Sequence, residues 1–115
     1  MPELGPGTVA WVWLDPAVGR EQGGNRPVVC VSSDSYLSVV DSMFWCVPVT
    51  TVDRGWPNQV RLTGPELLLS RPCFAMTEQL RTLSRERVKS YAGAVDAACL
   101  AQIRWWIDTF LALCI

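Results

Sequence analysis

Hydrophobic and polar positions alternate along this chain in short runs, and the runs predict strands before they predict anything else. Thr8 to Leu14 (TVAWVWL) is β-branched and aromatic and apolar on both faces, which predicts a buried strand. Asp15 to Arg26 carries a proline, three glycines and several charges, and predicts a long loop or a splayed hairpin end. Pro27 to Ser32 predicts a second strand, with proline tolerated at its first position. Ser33 to Ser35 reads as a turn or helix cap, with a short helical turn before Ser42. Met43 to Thr51 predicts a third strand, in which Pro48 marks an edge or a bulge.

Asp53 to Asn58 predicts a turn. Gln59 to Thr63 alternates, with Val60 and Leu62 facing in and Arg61 and Thr63 facing out. Gly64-Pro65-Glu66 predicts the start of a short helix, because proline suits the first helical position. Cys73 to Leu83 predicts one further strand, followed by an Arg-rich connector and a last short strand from Tyr91 to Val95. Asp96 predicts the N-cap of a terminal helix whose Leu100, Ile103, Ile107, Phe110, Leu111 and Cys114 fall on one stripe. Several strands followed by one helix predict a mainly β fold with a C-terminal helix. The expected form is a small curled barrel or half-open sheet with the helix packed on it. No internal repeat or linker interrupts the chain, so a single domain over residues 1–115 is expected.

Composition then narrows the chemistry. Of 115 residues, 50% are apolar and 18% charged, enough for one modest core. Ten basic and eleven acidic side chains give a net charge of -1, which excludes a uniformly basic surface. Histidine is absent, which removes His-based zinc sites, Ser-His-Asp and Cys-His catalysis, and an imidazole base. Nine of the ten basic residues are Arg, whose planar fork of donors suits phosphate. A genome rich in GC codons accounts for that bias equally well. The five cysteines have wide gaps and lie mostly in apolar runs, as small buried hydrophobes in a reducing compartment do. The N-terminus has neither a basic n-region nor an apolar h-region. Gln102, Arg104 and Asp108 interrupt the apolar stretch at 97–115. A cytoplasmic protein with no membrane span is the expectation.

Five constellations could carry chemistry. Gly19-Arg20-Glu21-Gln22-Gly23-Gly24-Asn25-Arg26-Pro27 lacks the Gly-Lys-Ser/Thr ending of a phosphate loop, yet its glycines let backbone approach a partner closely. The plain alternative is a flexible hairpin with solvated charges. Thr50-Thr51 puts two hydroxyls at a strand end, where they can donate to a phosphate oxygen or simply serve β-propensity. Glu78-Gln79-Leu80-Arg81-Thr82, read as a strand, puts Glu78, Leu80 and Thr82 on one face and Gln79 and Arg81 on the other. Arg81, Arg85, Arg87 and Lys89 form a basic cluster, and residues 61–89 hold six basic against three acidic side chains. A near-neutral chain can therefore carry a local positive face. Among the tryptophans, Trp11, Trp13 and Trp45 are expected in the core. Trp105 and Trp106 must diverge on their helix, and Trp56 beside Pro57 can stack on a base.

The order of these features resembles the MazF/PemK (Kid) family of toxin endoribonucleases, within the CcdB/Kid superfamily. The resemblance rests on Gly7 to Pro16, then on Gly-x-Glu-Gln-x-Gly-x-Arg-Pro at Gly19 to Pro27. It continues through Cys46 to Thr51, Arg54-Gly55-Trp56-Pro57, Val60 to Gly64 and Glu78 to Thr82. It implies an SH3-like barrel, a homodimer, and metal-independent cleavage of single-stranded RNA at short sequences, with no cofactor. It also implies a MazE-type antitoxin whose disordered tail covers the site. By that pattern Arg26 and Thr50 are the catalytic pair, Glu21 is a contributing carboxylate, and Glu78 stands where other members have Asp. Arg20 and Asn25 stand where some members have His, so acid-base work here lacks imidazole.

RNA brings its own nucleophile, the 2′-OH. The protein must take that proton, stabilise charge on phosphorus and protonate the leaving 5′-oxygen. Arg26 suits the phosphate, Thr50 a donor bond to it, Glu21 the proton, and Glu78 stands in reserve. Arg20, Gln22, Asn25 and Thr51 are expected to bind RNA around that centre. Trp56, Asn58, Gln59, Gln79 and Arg81 are expected to bind it farther along. Two non-cutting readings compete: a CcdB-like toxin that binds DNA gyrase, and a catalytically inactive binding member of the same fold.

Overall fold

A computed structural model of the chain describes residues 4–14 and 24–112. The strands are β1 (Thr8–Trp13), β2 (Asn25–Cys30), β3 (Met43–Thr50), β4 (Gln59–Arg61), β5 (Phe74–Met76), β6 (Arg81–Ser84) and β7 (Val88–Ala94). Helix α1 (Asp34–Val39) lies between β2 and β3, and α2 (Ala97–Leu111) ends the chain. Among the described residues the strands form one antiparallel sheet in the order β4-β5-β3-β2-β1-β7, with β6 also on β3. The outer strands β4 and β7 do not pair with each other, so the mainly β fold takes the half-open form.

The central strands read as unbroken apolar runs because both their faces are buried. Val9, Val29, Val47 and Val49 face a core closed by Leu100 and Ile103 of α2. Ala10, Val12, Val28, Phe44 and Cys46, one residue out of phase, face a second core closed by Leu37 of α1 and Leu83 of β6. Two arginines tie the helices to the sheet. Arg85 donates to the carbonyls of Leu37, Val40 and Met43 at 2.6, 2.8 and 3.1 Å. Arg104 donates to Val31 and Ser32. Arg85 is thus a clamp between α1 and β3 and leaves the basic cluster expected at 81–89.

Helix α2 begins as its cap predicts. The Asp96 carboxylate accepts from the Cys99 N–H at 2.8 Å and from the Thr63 hydroxyl at 2.9 Å. Cys99, Leu100 and Ile103 are buried, while Trp106 and Ile107 pack against the same core. Phe110 and Leu111 of the expected stripe are exposed. Trp105 turns outward, as adjacency to Trp106 requires.

Several boundaries differ from the sequence reading. β2 starts at Asn25, two residues before Pro27, because Trp13 and Val12 offer partners to Asn25 and Arg26. Pro48 lies in a central strand rather than at an edge, and β3 exchanges its neighbour β6 for β5 around it. The expected strand 73–83 is two strands. Between the pairs Cys46–Arg81 and Val49–Ala75, β3 advances three residues and the other chain six. The surplus becomes the 3-10 turn Thr77–Gln79. Glu78 and Gln79 therefore do not alternate on a strand with Leu80 and Arg81. Gly64-Pro65-Glu66 forms a turn and no helix, since Gly64 has φ +141° and Asp96 N–H bonds the Thr63 carbonyl. β7 begins at Val88, inside the expected connector, because it pairs along β1 as far as Val12. Trp13 and Trp45 are nearly half exposed instead of core. Trp13 ends β1, and Trp45 lies against Tyr36 with ring centroids 4.8 Å apart.

Cys30, Cys46, Cys73 and Cys99 are free and buried, and Cys114 lies outside the described residues. Burial pushes the Cys46 thiol up from 9.0 to about 12. It raises Cys30 as well, against the lowering effect of bonds to Ser32.

Two predictions follow from this packing. Ile103→Asp puts an unpaired carboxylate into a fully buried position and should cost at least about 3 kcal/mol, read as a large fall in melting temperature. The cysteines make stability depend on alkaline pH. The unfolded thiols ionise near pH 9 and the folded Cys46 only near 12, so ionisation favours the unfolded state in between. The urea midpoint should hold below about pH 9 and fall as pH rises above it.

Candidate active site

The site begins where a ladder stops. β2 and β3 pair through Val28–Pro48, Val29–Val47 and Cys30–Cys46. The Val31 N–H donates to the Trp45 carbonyl at 2.9 Å, so by strand alternation position 29 bonds position 47 and position 27 should bond Val49. Pro27 has no N–H to give, and the paired register ends at Val28–Pro48. Extending that register by two residues sets Arg26 opposite Thr50, with both side chains on the same face.

A cleft of about 230 Å³ opens at this point, and Arg26, Thr50, Asn25 and Thr51 line it from the sheet side with Trp11 and Pro27. The irregular stretch Leu68–Arg71 forms the opposite wall. Arg26 is exposed and Thr50 half-buried. The Thr50 hydroxyl oxygen accepts from the Val52 N–H at 3.1 Å, which orients the hydroxyl and leaves its proton for a bound group. A guanidinium and a hydroxyl donor side by side in one cleft can together donate to a phosphate that carries extra negative charge.

A second polar cluster holds the neighbouring loop. Gln59 accepts from the Arg54 N–H at 2.7 Å and donates to the Val52 carbonyl at 2.9 Å, closing residues 52–59 into a turn. Asp53 accepts from the N–H of Gly55, whose φ of +70° favours glycine. The turn displays Trp56, with the Arg54 guanidinium 5.5 Å from its ring centroid. Asn58 donates to Glu78 at 2.9 Å and to the buried Thr77 hydroxyl at 3.2 Å. The second Glu78 oxygen lies 3.5 Å from the Gln79 amide.

The structure thus brings Arg26, Thr50, Asn25 and Thr51 together and gathers Asn58, Glu78 and Gln79 elsewhere. Gln59 fastens the Trp56 loop, and Arg81 sits on β6 opposite Cys46 without lining the cleft. Arg20, Glu21 and Gln22 lie outside the described residues. Among the described residues no carboxylate lines the cleft. Trp11, Ser70 and Arg71 line it without having been singled out as site residues. Trp11 read as core, and Ser70-Arg71 belongs to no motif, so only the fold could have found them.

Comparison with known proteins identifies the family. The family model described as PemK-like, MazF-like toxin of type II toxin-antitoxin system matches residues 5–111. The chain is 37% identical over 106 residues to the endoribonuclease toxin MazF of Escherichia coli K12, covering 91% of each. It is 36% identical over 102 residues to endoribonuclease MazF9 of Mycobacterium tuberculosis, covering 84% of this chain and 86% of that one. The crystal structure of MazF from Deinococcus radiodurans superposes with a TM-score of 0.80 at 27% identity, covering 95% of this chain and 96% of the other. A MazE-MazF complex from the same organism gives 0.74 at 27% identity, covering 96% of each chain.

Proposed function

The chain belongs to the PemK-like, MazF-like toxins of type II toxin-antitoxin systems, and on that footing we propose that it is an endoribonuclease that cuts single-stranded RNA by attack of the 2′-OH. The observation that carries this reading is that Arg26 and Thr50, opposite each other by the β2–β3 register, line one cleft at the end of that ladder. Arg26 holds the scissile phosphate and stabilises the charge that builds on it, and Thr50 donates to a non-bridging oxygen. Glu21 takes the 2′-OH proton, with Glu78 in reserve; the 2′-oxygen bonds phosphorus as the bond to the 5′-oxygen breaks, and the leaving 5′-oxygen takes a proton from water. Asn25, Thr51, Arg20 and Gln22 contact the strand around the centre. Trp56 offers a face for a base, with Asn58, Gln59, Gln79 and Arg81 beyond it.

The relative crystallised with MazE supports an antitoxin of that type as partner. No helix among the described residues is long and apolar enough to cross a membrane, and we place the toxin in the cytoplasm, as one domain. A homodimer is part of the reading. Its interface uses the surface near residues 15–26 and 43–50, where Trp13 and Trp45 are each nearly half exposed.

Arg26→Ala and Thr50→Ala should each lower cleavage of a long single-stranded RNA by roughly 10²- to 10³-fold with circular dichroism unchanged. Wild-type products formed in the presence of a chelator should end in 2′,3′-cyclic phosphate and 5′-hydroxyl; 5′-phosphate ends would refute the mechanism. Light scattering at micromolar concentration should give twice the chain mass, and a monomer would refute the dimer.

A further inference from the structure

The chain from Leu62 to Cys73 has no regular structure, yet it is firmly fastened. The Leu62 N–H donates to the Cys73 carbonyl at 2.9 Å, and the Leu68 N–H donates to the Ala92 carbonyl at 3.1 Å. Gly93 presses against the Glu66 carbonyl so closely that a Cβ there would collide with it. The Cys73 thiol donates to the Arg71 carbonyl at 3.2 Å. Arg71 therefore projects from a fixed backbone.

Two hollows border this stretch. One is the cleft of Arg26 and Thr50. The other, about 250 Å³, has Arg61 and Leu62 at its far side. Leu69, Ser70, Arg71 and Cys73 line both, so Arg71 borders each of the two hollows. Among the described residues no carboxylate lines either hollow. Arg85 and Arg104 have their guanidinium groups bound to backbone carbonyls, which explains them structurally. Arg61 and Arg71 are exposed and make no such bond among the described residues.

We propose that Arg71 and Arg61 bind backbone phosphates flanking the scissile one. The substrate site then runs from the Arg26–Thr50 cleft across Leu69–Cys73 into the second hollow, and it takes a single strand of several nucleotides. This rests on the reading of the cleft as the RNA-cutting centre. A guanidinium grips phosphate through paired donors whatever the base, so these contacts hold the strand without selecting its sequence. Leu69 and Leu62 give sugars and bases an apolar floor. Contacts remote from the scissile bond that are equal in ground and transition state change KM and leave kcat alone.

The test is steady-state cleavage of two RNAs sharing one cut site, one with long flanks and one trimmed close to the site. On the long RNA, Arg71→Ala should raise KM roughly fivefold with kcat unchanged, Arg71→Lys should recover part of the loss, and Arg61→Ala should raise KM less. On the trimmed RNA these differences should shrink towards one. Binding of a long oligonucleotide made uncleavable by a 2′-deoxy at the cut site, followed by fluorescence polarisation, should lose about 0.7 from its log–log salt slope for each arginine removed. An unchanged KM and salt slope in Arg71→Ala would overturn the proposal, as would an equal loss on both RNAs. If the wild-type chain cuts no RNA but binds the uncleavable strand with an Arg71-dependent salt slope, the cleavage reading falls and the groove stands. If it neither cuts nor binds, both fall.

Discussion

Everything at the site depends on the missing N–H of Pro27. Strands β2 and β3 are paired up to Val28–Pro48, and the next bond would need Pro27 to donate to Val49. Because the ladder stops there, the two strand ends are not sewn together, and both line the cleft. Because it stops no earlier, the register that governs Val28–Pro48 also governs the residues two steps on, Arg26 and Thr50. A slip of one residue would turn every side chain of one strand to the other face and part the pair. Pro48 plays the matching part on the far side of β3. By the same alternation its missing N–H points where β3 leaves β6 for β5, which is where the three surplus residues form the Thr77–Gln79 turn. A central strand thus tolerates proline by having no partner due at that position.

What holds this register is burial on both faces of the sheet. A slip would send Val29 and Val47 into the core of Val28 and Cys46, and the reverse, so neither core would fit. The helices add to that constraint through arginine. Arg104 grips the carbonyls just after β2, and Arg85 grips the start of β3 together with α1. Each guanidinium meets two or three carbonyls that would otherwise lack partners at the ends of regular structure. The site therefore sits on the most constrained strands of the molecule, and its two key side chains inherit their positions from the core.

The same physics explains what the sequence disclosed. β1, β3 and α2 were legible because their patterns are long and their caps local: Asp96 bonds a residue three positions away. The pairing of Arg26 with Thr50 was legible only through the family motif, since no local pattern states which strand lies beside which. The division of 73–83 into two strands was hidden. Its cause is the requirement that one chain follow β3 past a change of neighbour, and that requirement belongs to the sheet and not to the segment. Glu78 shows the consequence. Read as a strand residue it shares a face with Leu80 and Thr82. On the turn it answers to Asn58, twenty residues away in the chain, through a bond that joins two loops. Arg71 was hidden for a similar reason: its segment is irregular and held by contacts to Ala92 and Cys73.

Net charge also takes on a different meaning once the arginines are sorted by what they touch. With ten basic and eleven acidic residues the chain repels polyanions as a whole no more than it attracts them. Arg85 and Arg104 are spent on carbonyls, Arg87 donates to the Trp13 carbonyl, and Arg54 lies over Trp56. Arg26 and Arg71 share one cleft, and Arg71 and Arg61 share the neighbouring hollow, with no described carboxylate lining either. A local field of that kind needs no basic surface, because it acts within a Debye length on a strand already in the groove. It also defines the remaining chemical problem. A cleft walled by guanidinium and hydroxyl groups stabilises an anion well and removes a proton badly. The chain has no histidine, and the proposed mechanism gives the proton to a carboxylate, none of which lines the cleft among the described residues. The Leu14 N–H bonds the Gly24 carbonyl beside Asn25 and Arg26, so the stretch of sequence that holds Glu21 leaves and rejoins the described chain next to the cleft. That adjacency favours Glu21 over Glu78, whose carboxylate is already bound to Asn58.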